Sequence, residues 1–230
     1  MVSPVKDRIL FEDNHFIAIN KCSGEIVQGD KTGDLPMGDF IKDFLKEKYN
    51  KPGNVFCGVV HRIDRPVSGV VLFAKTSKGL SRMNELFSTR EVKKTYWAIV
   101  KNKPFKDEGE LVHFLIKDEK KNKTTAHQKE VKGSKIAKLH YKIIAKSDNY
   151  FLLEIDPYAG RHHQIRAQLA SMGCPIKGDL KYGAERSNAN GSISLHARQL
   201  FFIHPVTKTE TKITAPVPKD ALWESFEKML

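Results

Sequence analysis

Five consecutive apolar residues, Val70–Ala74 (VVLFA), do most to limit what this chain can become. The run is too short for a helix and too apolar for a surface segment, so it predicts a buried strand. Thr76 or Ser77 then caps a helix whose inner face carries Leu80, Met83, Leu86 and Phe87 at helical spacing.

Comparable runs recur along the chain. His15–Asn20 (HFIAIN) predicts a short buried strand, and Thr95–Val100 (TYWAIV) a strand by its aromatic and β-branched content. Leu139–Ala145 and Tyr150–Ile155 flank Ser147-Asp148-Asn149, a hairpin signal. Ile193–Ile203 and Glu210–Ala215 suggest a further strand pair. Asp34 is a candidate cap for a helix carrying Leu35, Phe40, Ile41, Phe44 and Leu45, before the turn Asn50-Lys51-Pro52-Gly53. Arg161–Met172 reads as a helix closed by Gly173, and Ala221–Leu230 as an amphipathic one. Strands outnumber helices, which predicts an α+β fold on a mixed, largely antiparallel sheet. No internal repeat and no Pro/Gly/Ser-rich linker is seen, so residues 1–230 are expected to form one domain.

Charge narrows the partners. Thirty-nine Lys and Arg stand against 27 Asp and Glu, a formal +12. That excess suits a polyanion, nucleic acid or an acidic membrane surface. Seven lysines (117, 120, 121, 123, 129, 132 and 135) crowd residues 117–135, which read as a mobile basic loop or ribbon or, equally, as a solvated hairpin. No apolar run approaches the ~20 residues of a membrane span, and no secretory h-region follows Met1. Cys22, Cys57 and Cys174 are scattered and odd in number, which suits reduced thiols in the cytoplasm.

Two segments carry chemistry. In His61-Arg62-Ile63-Asp64-Arg65 a carboxylate stands between two arginines, just ahead of the buried run. A carboxylate in such surroundings stays ionised, which makes it a poor general acid and a plausible nucleophile or base. In Gly160-Arg161-His162-His163-Gln164-Ile165-Arg166, the two arginines lie five apart and cannot share a helix face, so Arg161 belongs in the preceding loop or first turn. Taken alone, Arg166 could equally face solvent. His162 and His163 lack metal-ligand spacing, and no metal site is expected. By spacing alone Tyr96 reads as a core aromatic; a ring for nucleobase stacking is the alternative.

Together these segments resemble the RNA pseudouridine synthases of the RluA type. HRIDRPVSGVVLFAKT is similar to that family's H-R-L-D-R-x-T-S-G strand segment, KKTYWAIV to its K-x-Y-x-A-x-V strand, and GRHHQIRAQLASMGCPIKGDLKYG to its G-R-T-H-Q-I-R…P-I-x-G-D-x-x-Y-G segment. ISLHARQLFFIHP matches the closing block and ILFEDNHFIAINKCSGEIV the opening one. Cys22, Val67, Ala159, His162 and Gln168 depart from the usual residues. The resemblance implies a single catalytic domain with a central RNA-binding cleft, a basic insertion at about 117–135 and no separate N-terminal RNA-binding module. It implies Asp64 as catalytic aspartate, Tyr96 stacking on the target uracil and Arg166 pairing with Asp64. Arg62, His61, Arg65, Arg161, Lys120, Lys121 and Lys123 are expected to bind substrate. The expected partner is structured RNA, ribosomal or transfer, with no cofactor, no membrane and no protein partner, for a monomeric chain. A non-catalytic RNA-binding or RNA-chaperone protein on the same scaffold is the alternative; a metal-dependent nuclease would need clustered carboxylates where this chain has arginines.

Overall fold

The computed structural model describes residues 3–30 and 32–230. In chain order the elements begin with β1 (Ile9–Glu12), β2 (Phe16–Lys21), α1 (Met37–Lys48), β3 (Gly58–Val59), β4 (Ser68–Ala74) and α2 (Ser77–Ser88). There follow β5 (Lys93–Val100), β6 (Glu108–Asp118), β7 (Lys123–His127), β8 (Lys135–Lys146), β9 (Phe151–Pro157) and α3 (Gln164–Ser171). The chain closes with β10 (Leu195–Ile203), β11 (Glu210–Thr214) and α4 (Ala221–Glu227). This is the α+β class expected, and every ladder named below is antiparallel. Two compact units result, one built from the chain up to Lys93 with Ala197–Pro216, the other from Lys94–His196 with Val217–Leu230.

In the first unit β4 is buried along its whole length, as its five apolar residues require. It pairs with β2 from Phe16↔Ala74 to Lys21↔Gly69, and β2 pairs with β1. Alternate residues Val70, Leu72 and Ala74 join Phe16, Ala18, Met83, Leu200, Phe202 and Ile213 in one core. Thr76 caps α2 by accepting from the Gly79 N–H at 3.0 Å, and Leu80, Leu86 and Phe87 pack against that core. The helix expected from Asp34 starts later, at Met37, with Pro36 as an extended N-cap. A residue before proline is pushed out of the helical region, so Leu35 stays outside the helix and 64% exposed. Asp34 instead pairs with Arg65.

In the second unit the strands run β5-β9-β8-β6-β7. β8 and β9 form the expected hairpin, with a register shift between Ile143 and Ala145. Segment 117–135 is a paired ribbon: the end of β6 turns at residues 119–122 into β7, which leads back to β8. β6 itself was not read from the sequence, because exposed Glu110, Val112 and Lys117 interleave with buried His113 and Leu115 in an edge-like pattern. α3 is shorter than expected. His163, in the left-handed region at φ 49°, starts it, so residues 161–163 form a turn and not a first helical turn. Asp220 caps α4, whose Trp223 and Phe226 pack with Trp97, Ile99, Leu152 and Val217.

Candidate active site

Asp64 is half-buried in the link between β3 and β4, in a tight turn closed by Val67 N–H donating to the Asp64 carbonyl at 3.0 Å. The turn is gripped from within. Lys21, the last residue of β2, is 1% exposed, and its ammonium donates to the carbonyls of Val67 (2.7 Å), Cys22 (3.0 Å), Arg65 (3.0 Å) and Asp64 (3.4 Å). Burial pushes the Lys21 pKa down to about 8, against the pull of Glu25, Cys22 and Asp64. A buried ammonium must place its three protons on acceptors; here three of the four carbonyls within reach belong to the backbone that carries Asp64. Gly69 then starts the strand at φ +115°, and a Cβ there would lie 2.3 Å from the Ala197 carbonyl oxygen. Only glycine lets the backbone turn from Asp64 into β4 at that distance.

The arginines flanking Asp64 are exposed and held by one loop. Arg62 Nη1 donates to Gln28 Oε1 at 3.1 Å; Arg65 reaches Asp34 Oδ2 at 2.6 Å and Thr32 Oγ1 at 3.3 Å. His61 is used by the scaffold: its Nε2 accepts the Leu72 N–H at 3.1 Å, and its ring stacks on Phe87 with centroids 5.1 Å apart.

In the second unit Tyr96 is half-buried on β5, opposite Ile155 of β9. Its neighbour Trp97 faces the α4 core, so Tyr96 lies on the other face of the sheet, away from that core. Arg166, on α3, is 5% exposed, which disposes of a solvent-facing role. Its Nε and Nη2 donate to Asp179 Oδ2 and Oδ1 at 2.7 and 2.9 Å. The Tyr182 ring lies 5.0 Å from its guanidinium carbon. Arg161 is exposed in the loop before α3, where its N–H donates to Gln164 Oε1 at 3.2 Å.

The ribbon is fastened to the start of α3. Thr124 N–H donates to the Tyr182 hydroxyl at 2.8 Å, which also shares a hydrogen bond with His163 Nδ1 at 2.9 Å. His162 contacts Thr124 Oγ1 at 2.8 Å and Asn122 Oδ1 at 3.0 Å. Burial, reinforced by Arg166 and His162, pushes the His163 pKa down to about 2, so its ring is neutral. Lys120 and Lys121 are exposed at the ribbon turn, whereas the Lys123 ammonium sits 5.3 Å over the Tyr182 ring. Among the described residues no group of three or more His, Cys, Asp or Glu could hold a metal ion, and no helix is long and apolar enough to cross a membrane.

Comparison with known proteins places this arrangement. A family model described as RNA pseudouridylate synthase matches residues 15–171. This chain belongs to the RNA pseudouridylate synthase family. A tRNA pseudouridine synthase C of Vibrio vulnificus is 33% identical to this synthase over 95% of each chain. A ribosomal large subunit pseudouridine synthase C of Rickettsia bellii is 32% identical over 91% of this chain and 68% of its own. The solved structure of human RNA Pseudouridylate Synthase Domain Containing 4 shares the fold, with a TM-score of 0.79 at 24% identity, over 95% of this chain and 92% of that one. The synthase is therefore an isomerase acting on RNA, and the non-catalytic alternative is not favoured.

Sequence reasoning missed Lys21, Asp179, Tyr182 and Thr124. Lys21 carried no signal, being one lysine among many at the end of an apolar strand. Asp179 and Tyr182 lay in the recognised motif GDLKYG, but nothing in that motif says which side chain they hold.

Proposed function

We propose that this synthase forms pseudouridine in ribosomal or transfer RNA, with Asp64 as its catalytic aspartate and both units serving one monomeric catalytic domain in the cytoplasm. The observation that carries the reading is the Asp64 turn, clamped by the buried Lys21 ammonium and flanked by two exposed arginines. The names of the Vibrio and Rickettsia relatives support the two RNA classes.

The reaction breaks the C1′–N1 bond of uridine, turns the base and joins C5 to C1′; C5 gives up its proton and N1 takes one up, so that uridine and product are isomers. A base inside folded RNA must first leave its stack, at a cost of a few kcal/mol. Tyr96 receives the flipped uracil on its ring face, and Asp64 acts on the nucleoside while the glycosidic bond opens. Arg166 is read as the partner of Asp64. Arg62, His61, Arg65, Arg161 and the ribbon lysines bind the substrate RNA. No cofactor enters this scheme.

The test uses total RNA from cells lacking the gene, labelled with tritium at uridine C5, because joining C5 to C1′ releases that hydrogen. Asp64→Asn keeps size and removes charge; it is expected to release no tritium while still binding RNA. Appreciable release by the purified variant would end the assignment. Mapping pseudouridines in total RNA with and without the gene identifies the target uridine.

A further inference from the structure

The segment Gly178-Asp179-Leu180-Lys181-Tyr182-Gly183 plays no part in the chemistry above, yet its two buried side chains converge on Arg166. Asp179 is 1% exposed and holds the Nε–Nη2 edge of the guanidinium in two parallel bonds of 2.7 and 2.9 Å. Tyr182 lies against the same group at 5.0 Å, its hydroxyl fixed by Thr124 and His163. A carboxylate on one edge and a ring nearby fix a planar, five-donor group in orientation as well as position.

The backbone around Asp179 is braced to the same end. Gly178 has φ +89°, and a Cβ there would come within 2.7 Å of the Ser192 carbonyl oxygen. Tyr182 N–H and Ala184 N–H both donate to the Asp179 carbonyl at 3.0 Å, and Asp179 N–H donates to Ile176 at 3.0 Å. A buried ion pair of this kind is a weak route to stability, since well-packed apolar residues do as well. Its value lies in what it makes the guanidinium do.

The geometry points to Asp179 as a positioning residue of the synthase, one that sets the plane of the Arg166 guanidinium. This rests on the reading of Arg166 as the partner of Asp64. Asp179 touches neither substrate nor reacting atoms and acts only through Arg166. Asp179→Asn puts an amide donor against one of the guanidinium N–H groups and lets the plane turn.

The experiment is single-turnover tritium release with enzyme in excess over the C5-labelled RNA, run on wild type, Arg166→Met and Asp179→Asn. The amplitude reports the RNA converted by folded enzyme, and the rate constant reports the chemistry. Asp179→Asn is expected to slow the rate constant about 100-fold, the scale of a 1 Å misplacement, with full amplitude and unchanged RNA Kd. Reduced amplitude at the wild-type rate constant would mean that Asp179 only supports folding, and would overturn the proposal. A wild-type rate for Asp179→Asn beside a slow Arg166→Met would also overturn it, leaving the Arg166 assignment intact. A wild-type rate for Arg166→Met would remove both. Should the Asn variant not fold, Asp179→Glu, which keeps the charge and shifts it by one methylene, carries the same test: slow chemistry at full amplitude supports positioning, and a wild-type rate refutes it.

Discussion

Gly69→Ala is expected to strain this fold severely, because a Cβ would meet the Ala197 carbonyl at 2.3 Å and the backbone sits at φ +115°. Backbone cannot yield as a flexible side chain can, so a loss of about 3 kcal/mol or more is expected, read as a lower urea midpoint. Tyr96 separates two functions within one side chain. Tyr96→Phe keeps the ring and should keep RNA affinity, whereas Tyr96→Ala should weaken binding of the flipped base by about 1–3 kcal/mol. Equal affinity for both variants, with wild-type turnover, would return Tyr96 to the core residue that its spacing first suggested. Lys21 shows how little a residue type says alone: a lysine in a chain with 39 basic residues, it folds inward to hold the Asp64 turn.

At the scale of elements, the β6–β7 ribbon and the β1–α1 contact behave differently. Lys120 and Lys121 are exposed at the ribbon turn, but Lys123 packs over Tyr182 and thus close to the support of Arg166. A change of all three lysines would mix RNA contact with site structure. Lys120→Ser with Lys121→Ser is the clean pair, and should flatten the slope of log affinity against log salt by about 1.5 units with turnover at saturation unchanged. An unchanged slope would make the ribbon a solvated surface. Glu12 of β1 ties Lys48 of α1 to Lys75 at 2.7 and 2.8 Å. Burial raises its pKa, yet the bonds from Lys48, Lys75 and Tyr49 win and hold it at about 2. A depressed carboxylate stabilises the fold above its unfolded pKa of about 4.5 and loses that contribution as pH falls toward 2. Thermal melts between pH 5 and pH 2 should show a shallower loss for Glu12→Gln than for wild type.

Over the whole molecule, the net charge of +12 predicts RNA binding that weakens steeply with salt, and the mapping of pseudouridines should show one or a few of those in ribosomal or transfer RNA missing when the gene is absent. Much of the fold was legible in the chain. VVLFA became the fully buried β4, Thr76 capped α2, and Ser147-Asp148-Asn149 turned a hairpin. These signals are local: apolar period, cap chemistry and turn residues act within a few positions of one another. The resemblance also named Asp64, Tyr96 and Arg166 as site residues, and the variants above test those roles. Local reading failed where a neighbour distant in sequence decided the outcome. The bond from His163 to Tyr182, nineteen residues on, accompanies the left-handed backbone that delays α3; the later start of α1, by contrast, is a local effect of Pro36. The sequence by itself determined many of the elements, the basic character and the family. Only the tertiary structure decided that Lys21 grips the turn of Asp64 and that Asp179 sets Arg166, because burying a charge forces it onto whatever acceptor or donor folding brings near, and no local pattern names that partner.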